Sequence, residues 1–116
     1  MKYNIAVVHG DGIGPEVCSA ALAVLHAVPG LAARLDFREY PAGANHYLQT
    51  GDAFPDATYE ACKAAHAILH GAGGLPGVTY PDGTEPGIDF GLQLRFRLDL
   101  YYRLAVIPFH VAPLRE

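Results

Sequence analysis

The chain has 116 residues, 51% of them hydrophobic and 17% charged, which suits one folded domain with a real core and excludes global disorder. A formal net charge of −4 without a basic cluster excludes a nucleic-acid footprint, and no apolar run has membrane-spanning length, so neither nucleic acid nor membrane is expected as a partner. The two cysteines, Cys18 and Cys62, form no CxxC pair and read as buried free thiols; with no signal peptide at the start, a cytoplasmic protein is expected.

Residues 3–8 are nearly all apolar and predict a short strand buried on both faces. His9-Gly10-Asp11-Gly12-Ile13-Gly14-Pro15-Glu16 follows. Its alternate glycines permit positive φ and close backbone approach. Pro15 suits a first helical turn, and Glu16 favours the positive end of the helix dipole. The stretch reads as strand, glycine loop, helix, a βα turn of the kind that carries binding sites in α/β proteins. The spacing is GxGxG, not the GxGxxG of dinucleotide binders, and no Gly-Lys-Ser/Thr makes a P-loop. A binding role and a plain tight connection both fit, and Asp11 suits a local Asx-turn. The helix runs to about Val28, with Val17, Ala20, Ala21, Val24, Leu25 and Val28 as its expected buried face, and Pro29-Gly30 ends it.

Residues 35–40 alternate apolar and polar, as in a strand exposed on one side, and 41–54 are expected to hold a short helical turn around 46–48. Asp56 is the expected N-cap of the next helix, which continues through Tyr59, Cys62, Lys63 and Ala64. Ala67-Ile68-Leu69 predicts another short buried strand. Residues 71–77 form a second glycine loop, whose backbone N–H groups could receive an anion or a nucleotide's polar groups. Two such loops leaving parallel strands would share one carboxyl edge. This element order predicts an α/β fold, a parallel-rich sheet with flanking crossover helices.

Residues 90–100 carry a conflict. Strict alternation from Phe90 to Leu100 predicts a strand, whereas a helix would align Phe90, Leu94, Leu98 and Tyr101. Residues 103–111 suggest a further strand, weakened by Pro108. Arg95 and Arg97 suit either a carboxylate clamp or a solvated face. The six histidines show no HxH or HExxH spacing. His9 and His70 each end an apolar run before a glycine loop, either facing one pocket or packed at strand ends.

Four collinear stretches resemble the isocitrate/isopropylmalate dehydrogenase family, which includes tartrate/D-malate and homoisocitrate enzymes. They are Ile5-Ala6-Val7-Val8-His9-Gly10-Asp11-Gly12-Ile13-Gly14-Pro15-Glu16-Val17, then Phe54-Pro55-Asp56-Ala57-Thr58-Tyr59-Glu60-Ala61-Cys62-Lys63, then Ala67-Ile68-Leu69-His70-Gly71-Ala72-Gly73-Gly74-Leu75-Pro76, and Leu92-Gln93-Leu94-Arg95-Phe96-Arg97-Leu98-Asp99-Leu100-Tyr101. The resemblance implies an isopropylmalate-dehydrogenase-like partial fold, with residues 1–116 as the amino-terminal portion of the first domain and the remainder absent. It implies a helix at 89–98, against the period-two reading. It implies oxidative decarboxylation of a small-molecule 3-carboxy-2-hydroxy acid with NAD (or NADP), Mg2+ or Mn2+ in the complete enzyme, and a homodimer.

Carried over by residue, the resemblance places Arg95 on a substrate carboxylate and Gly91 at the variable substrate group. Arg103 is the nearest counterpart of a second substrate arginine, whose aligned place holds Ala105. Cofactor contacts are implied at Gly71, Ala72, Gly73, Gly74, Ile13 and Glu85. Ile88 stands where the family has an acid, His66 where it has Asp, and His9 where it has Pro. No catalytic tyrosine or lysine and no metal aspartate has a counterpart, so the chain alone is expected to be incompetent. The alternative is an inactive truncated paralogue or fragment that keeps ligand- or partner-binding loops.

Overall fold

The computed structural model describes residues 2–98. Seven elements follow in order: β1 (Tyr3–Val8), α1 (Gly14–Ala27), β2 (Leu35–Glu39), α2 (Ala44–Thr50), α3 (Asp56–Ala64), β3 (Ala67–His70) and α4 (Pro86–Arg97). The three strands form one parallel sheet in the order β2-β1-β3. β1 pairs from Tyr3↔Leu35 to Val7↔Glu39 on one side and from Ile5↔Ala67 to Val8↔His70 on the other. The expected α/β architecture is therefore present. Parallel pairing puts the carboxyl ends of β1, β2 and β3, and the loops that leave them, on one edge.

The central strand is the most apolar, yet only its second half is buried. Ala6, Val7 and Val8 are buried while residues 3 and 4 are exposed, so burial on both faces holds only toward the loop. Ala6 and Val8 share one face and join Phe54, Cys62, Phe90, Leu94 and Leu98 in the main cluster. Both cysteines are buried and free.

Four local expectations are corrected. α1 buries Gly14 and Cys18, whereas Val17, Val24 and Val28 stand exposed. Its apolar arc is wide, and the half that packs is set by the close seat of Gly14 against the carbonyl of His9. β2 is half-buried at its start and exposed at its end, so its burial grades along the strand and does not alternate. Asp56 is the first helical residue of α3; Pro55 is the N-cap, without a side-chain cap. β3 is only half-buried, with exposed ends.

Residues 90–97 are helical, so the period-two reading fails and the helix implied by resemblance stands. Pro86 opens α4 in the first turn, where its missing N–H costs nothing. Phe90, Leu94 and Leu98 are buried at a spacing of four, while Leu92 and Phe96 face outward. Apolar residues on both the inner and outer faces of one helix mimic a period of two. The strand expected at 103–111 lies outside the described residues.

Candidate functional site

The first glycine loop is held against the second. Asp11 donates its N–H to the Ala72 carbonyl at 2.8 Å, and Gly71 donates to Val8 at 2.8 Å. A Cβ at Gly10 would collide with the Ala72 carbonyl, and one at Gly71 with the His9 carbonyl. These glycines permit backbone-to-backbone packing across the end of β1 and β3.

The Asx-turn expected at Asp11 is not made; the local turn is closed by its main-chain carbonyl, which accepts from Gly14 N–H at 2.7 Å. Its side chain does something longer in range. It is 3% exposed, and its Oδ2 accepts from Ala44 N–H at 2.7 Å and Gly74 N–H at 2.8 Å. Oδ1 accepts from Asn45 N–H at 2.8 Å. Ala44 and Asn45 are the first two residues of α2, whose own N-cap, Gly43, has no side chain to offer. A carboxylate from a distant loop thus caps α2, near the positive end of its dipole. A Cβ at Gly43 would lie 2.6 Å from Asp11 Oδ2, so the cap requires glycine there. The N–H of Gly74, expected to receive an external anion, is held by an internal one.

Loop 71–77 also reaches α4. A Cβ at Gly87 would collide with Gly74 N, and one at Gly73 with the Phe90 ring. Residues 71–74 therefore sit against the start of α4, where Glu85 is the N-cap residue. Gly12 lies beside Gly74, its ideal Cβ position 3.9 Å from the Gly74 carbonyl, and the next side chain, Ile13, is exposed. The residues expected at a cofactor (Gly71, Ala72, Gly73, Gly74, Ile13 and Glu85) are thus brought to one corner.

Helical spacing puts Ile88, Gly91, Leu92 and Arg95 on the outer face of α4. A cavity of about 610 Å3 opens beside it, lined by Tyr80, Asp82, Thr84, Glu85, Ile88 and Leu92 among others. A Cβ at Gly91 would meet nothing within 4 Å. Arg95 is exposed, whereas Arg97 is turned elsewhere: its guanidinium lies 3.7 Å from the Tyr59 ring centroid and donates to Gln93 Oε1 at 3.0 Å. The pair does not form a clamp, because positions two apart on a helix point in different directions. A polar row runs along that second face. Tyr80 Oη donates to Asp89 Oδ2 at 2.8 Å, and Gln93 Nε2 donates to the same oxygen at 3.1 Å. Burial, then the Asp89 hydrogen bond and charge, push the Tyr80 phenol above its ordinary pKa.

His9 and His70 do not converge. His9 Nε2 pairs with Glu39 Oε1 at 2.6 Å, and His70 Nδ1 donates to the Gly71 carbonyl at 3.2 Å. Arg103 lies outside the described residues. Among the described residues, no group of three or more His, Cys, Asp or Glu side chains could hold a metal ion. Nothing local in the sequence signals Asp11 as a tie between three segments, because its partners lie 33 and 63 residues away. No helix among the described residues is long and apolar enough to cross a membrane.

Two glycine loops and a helix with an outward arginine are gathered at the carboxyl edge of a parallel α/β sheet, the edge where such folds place binding sites. The isocitrate/isopropylmalate dehydrogenase family model matches residues 4–114, and the chain belongs to that family. It is 42% identical over 118 residues to 3-isopropylmalate dehydrogenase of Symbiobacterium thermophilum, covering 98% of this chain and 31% of that protein. It is 45% identical over 104 residues to 3-isopropylmalate dehydrogenase of Streptomyces griseus, covering 89% of this chain and 29% of that protein. The apo beta-decarboxylating dehydrogenase of Thermococcus kodakarensis superposes with a TM-score of 0.67 at 37% identity, over 84% of this chain and 27% of that one. Isocitrate dehydrogenase from Methylococcus capsulatus superposes with a TM-score of 0.68 at 28% identity, over 85% and 26%. The chain thus spans about 30% of the length of the curated relatives it matches.

Proposed function

We propose that residues 1–116 are the amino-terminal part of the first domain of an NAD-dependent (or NADP-dependent) decarboxylating dehydrogenase. Its substrate is a 3-carboxy-2-hydroxy acid of the isopropylmalate, tartrate or D-malate type. The observation that carries this reading is the outer face of α4. There Arg95 lies one turn beyond Gly91, on a helix whose start packs on the 71–74 loop.

In this reading Arg95 holds a substrate carboxylate by charge-assisted hydrogen bonds. Gly91 leaves room for the substituent, with Ile88 and Leu92 on either side. The exposed Ala72 and Gly73 and the neighbouring Ile13 and Glu85 take the nicotinamide end of the cofactor, which supplies the hydride acceptor. Asp11 keeps that loop in register with α2. No set of side chains among the described residues fits a divalent metal. The whole enzyme is proposed to be a cytoplasmic homodimer. Arg103 is proposed as the second substrate arginine.

Two measurements test this. The isolated chain should give no NADH from D-malate, tartrate, isopropylmalate or isocitrate with Mg2+ or Mn2+, because most of the family's length is missing. Turnover would overturn the claim of an incomplete site. Isopropylmalate should perturb the α4 amides of the isotopically labelled chain, and Arg95→Ala should abolish the effect. A shift that survives Arg95→Ala would remove the carboxylate assignment.

The exposed Val17 and Val24 on α1, with Val28 at its C-cap, favour a second reading, a stable fragment that docks on a partner through this face. Concentration-dependent self-association or capture by the remainder of a family enzyme, without ligand binding, would support it.

A further inference from the structure

A second cavity opens on the other side of β1, at the carboxyl ends of β1 and β2. It measures about 330 Å3 and is lined by His9, Glu39, Tyr40, Asn45, His46 and Gln49 among others. None of its lining residues belongs to α4 or to the 71–77 loop. Asn45, His46 and Gln49 occupy one face of α2, at i, i+1 and i+4. His9 and Glu39 stand on the adjacent strand ends.

The pair is built so that Glu39 is oriented but not exhausted. His9 Nε2 donates to Glu39 Oε1 at 2.6 Å, which leaves Oε2 as an acceptor on a side chain that is 68% exposed. His9 Nδ1 is buried and has no hydrogen-bond partner among the described residues, so Glu39 is the polar contact that fixes the ring.

The lining chemistry selects a ligand class. No lysine or arginine lines the cavity, so an anion would meet the Glu39 carboxylate with only the His9 and His46 imidazoles to offset it. The described residues hold no metal-binding group of three. A carboxylate that accepts, beside two carboxamides that each donate and accept, complements adjacent hydroxyl groups. Glu39 is the last residue of β2, hydrogen-bonded in parallel beside the strand that carries the glycine loop.

We propose that this cavity binds the vicinal diol of a neutral sugar or nucleoside, with Glu39 accepting from its hydroxyls and Asn45 and Gln49 completing the contact. The site is independent of the dehydrogenase reading and needs none of its residues. The test is a titration of the labelled 116-residue chain with methyl β-D-ribofuranoside, adenosine and 2′-deoxyadenosine, followed at the amides of α2. Saturable shifts with dissociation constants on the order of millimolar are expected for the riboside and for adenosine. Equal affinity identifies a sugar site, and tighter adenosine binding identifies a nucleoside site. Glu39→Gln should weaken binding about tenfold, because a charge-assisted bond becomes a neutral one. Gln49→Ala, at an exposed position, should weaken it as well. Three results would each overturn the proposal: no saturable shift with either diol, equal binding of 2′-deoxyadenosine, or unchanged affinity in Glu39→Gln.

Discussion

Asp11 Oδ2 accepts the backbone N–H of Gly74 at 2.8 Å, across 63 residues of chain and at the end of neighbouring parallel strands. The same carboxylate caps α2 through Ala44 and Asn45, so one buried side chain holds three segments of the carboxyl edge together.

Asp11→Asn should therefore destabilise the fold by about 1–3 kcal/mol, the cost of leaving buried polar groups unmatched. Asparagine keeps one acceptor oxygen and turns an NH2 toward a backbone N–H. Urea unfolding should show a lower midpoint, and the Gly74 amide should exchange faster with solvent. An unchanged midpoint would show that the tie is dispensable.

Gly10→Ala should cost more than Gly30→Ala. Both glycines have positive φ, 76° and 79°, so both substitutions incur left-handed strain of about 1–2 kcal/mol. A Cβ at Gly30 meets nothing within 4 Å, whereas one at Gly10 runs into the Ala72 carbonyl. The difference between the two variants in thermal or urea unfolding isolates the loop-on-loop contact. Equal losses would argue against it.

Phe90→Ala and Phe96→Ala separate helix from strand by experiment. A period-two strand would put both rings on one face; α4 buries Phe90 to 1% exposure and leaves Phe96 at 73%. Phe90→Ala should cost about 3–5 kcal/mol, as for other buried aromatics. Phe96→Ala should stay within about 0.5 kcal/mol of the parent.

Stability should fall as the solution becomes alkaline. Burial raises the Cys62 thiol from 9.0 to about 11 and also raises the Tyr80 phenol. A group whose folded pKa is raised holds its proton longer in the folded state. Its contribution is complete below the unfolded value and is lost as pH rises through the folded one. For Cys62 that window runs from about 9 to about 11. Thermal midpoints across it should decline less steeply in Cys62→Ala, and Cys62 should resist thiol reagents until the chain unfolds. A pH-independent midpoint would contradict both assignments.

What the sequence determined by itself was local. The apolar run 3–8, the alternate glycines and Pro15 specify a βα turn, because strand propensity, positive φ and helix initiation each depend on a few adjacent residues. Short, collinear motifs carried the family in the same way, down to the helix at α4 that periodicity alone misread. Tertiary structure decided which face each element buries and which groups meet. α1 has a wide apolar arc, and only its seat on the His9 carbonyl selects Gly14 and Cys18 over Val17 and Val24. The two α4 arginines look equivalent in sequence, yet Tyr59 draws Arg97 away while Arg95 stays outward. Asp11 finds donors in segments far along the chain because parallel pairing brings β1 beside β3 and their loops to one edge. Such contacts depend on how elements are stacked, and no run of neighbouring residues encodes that.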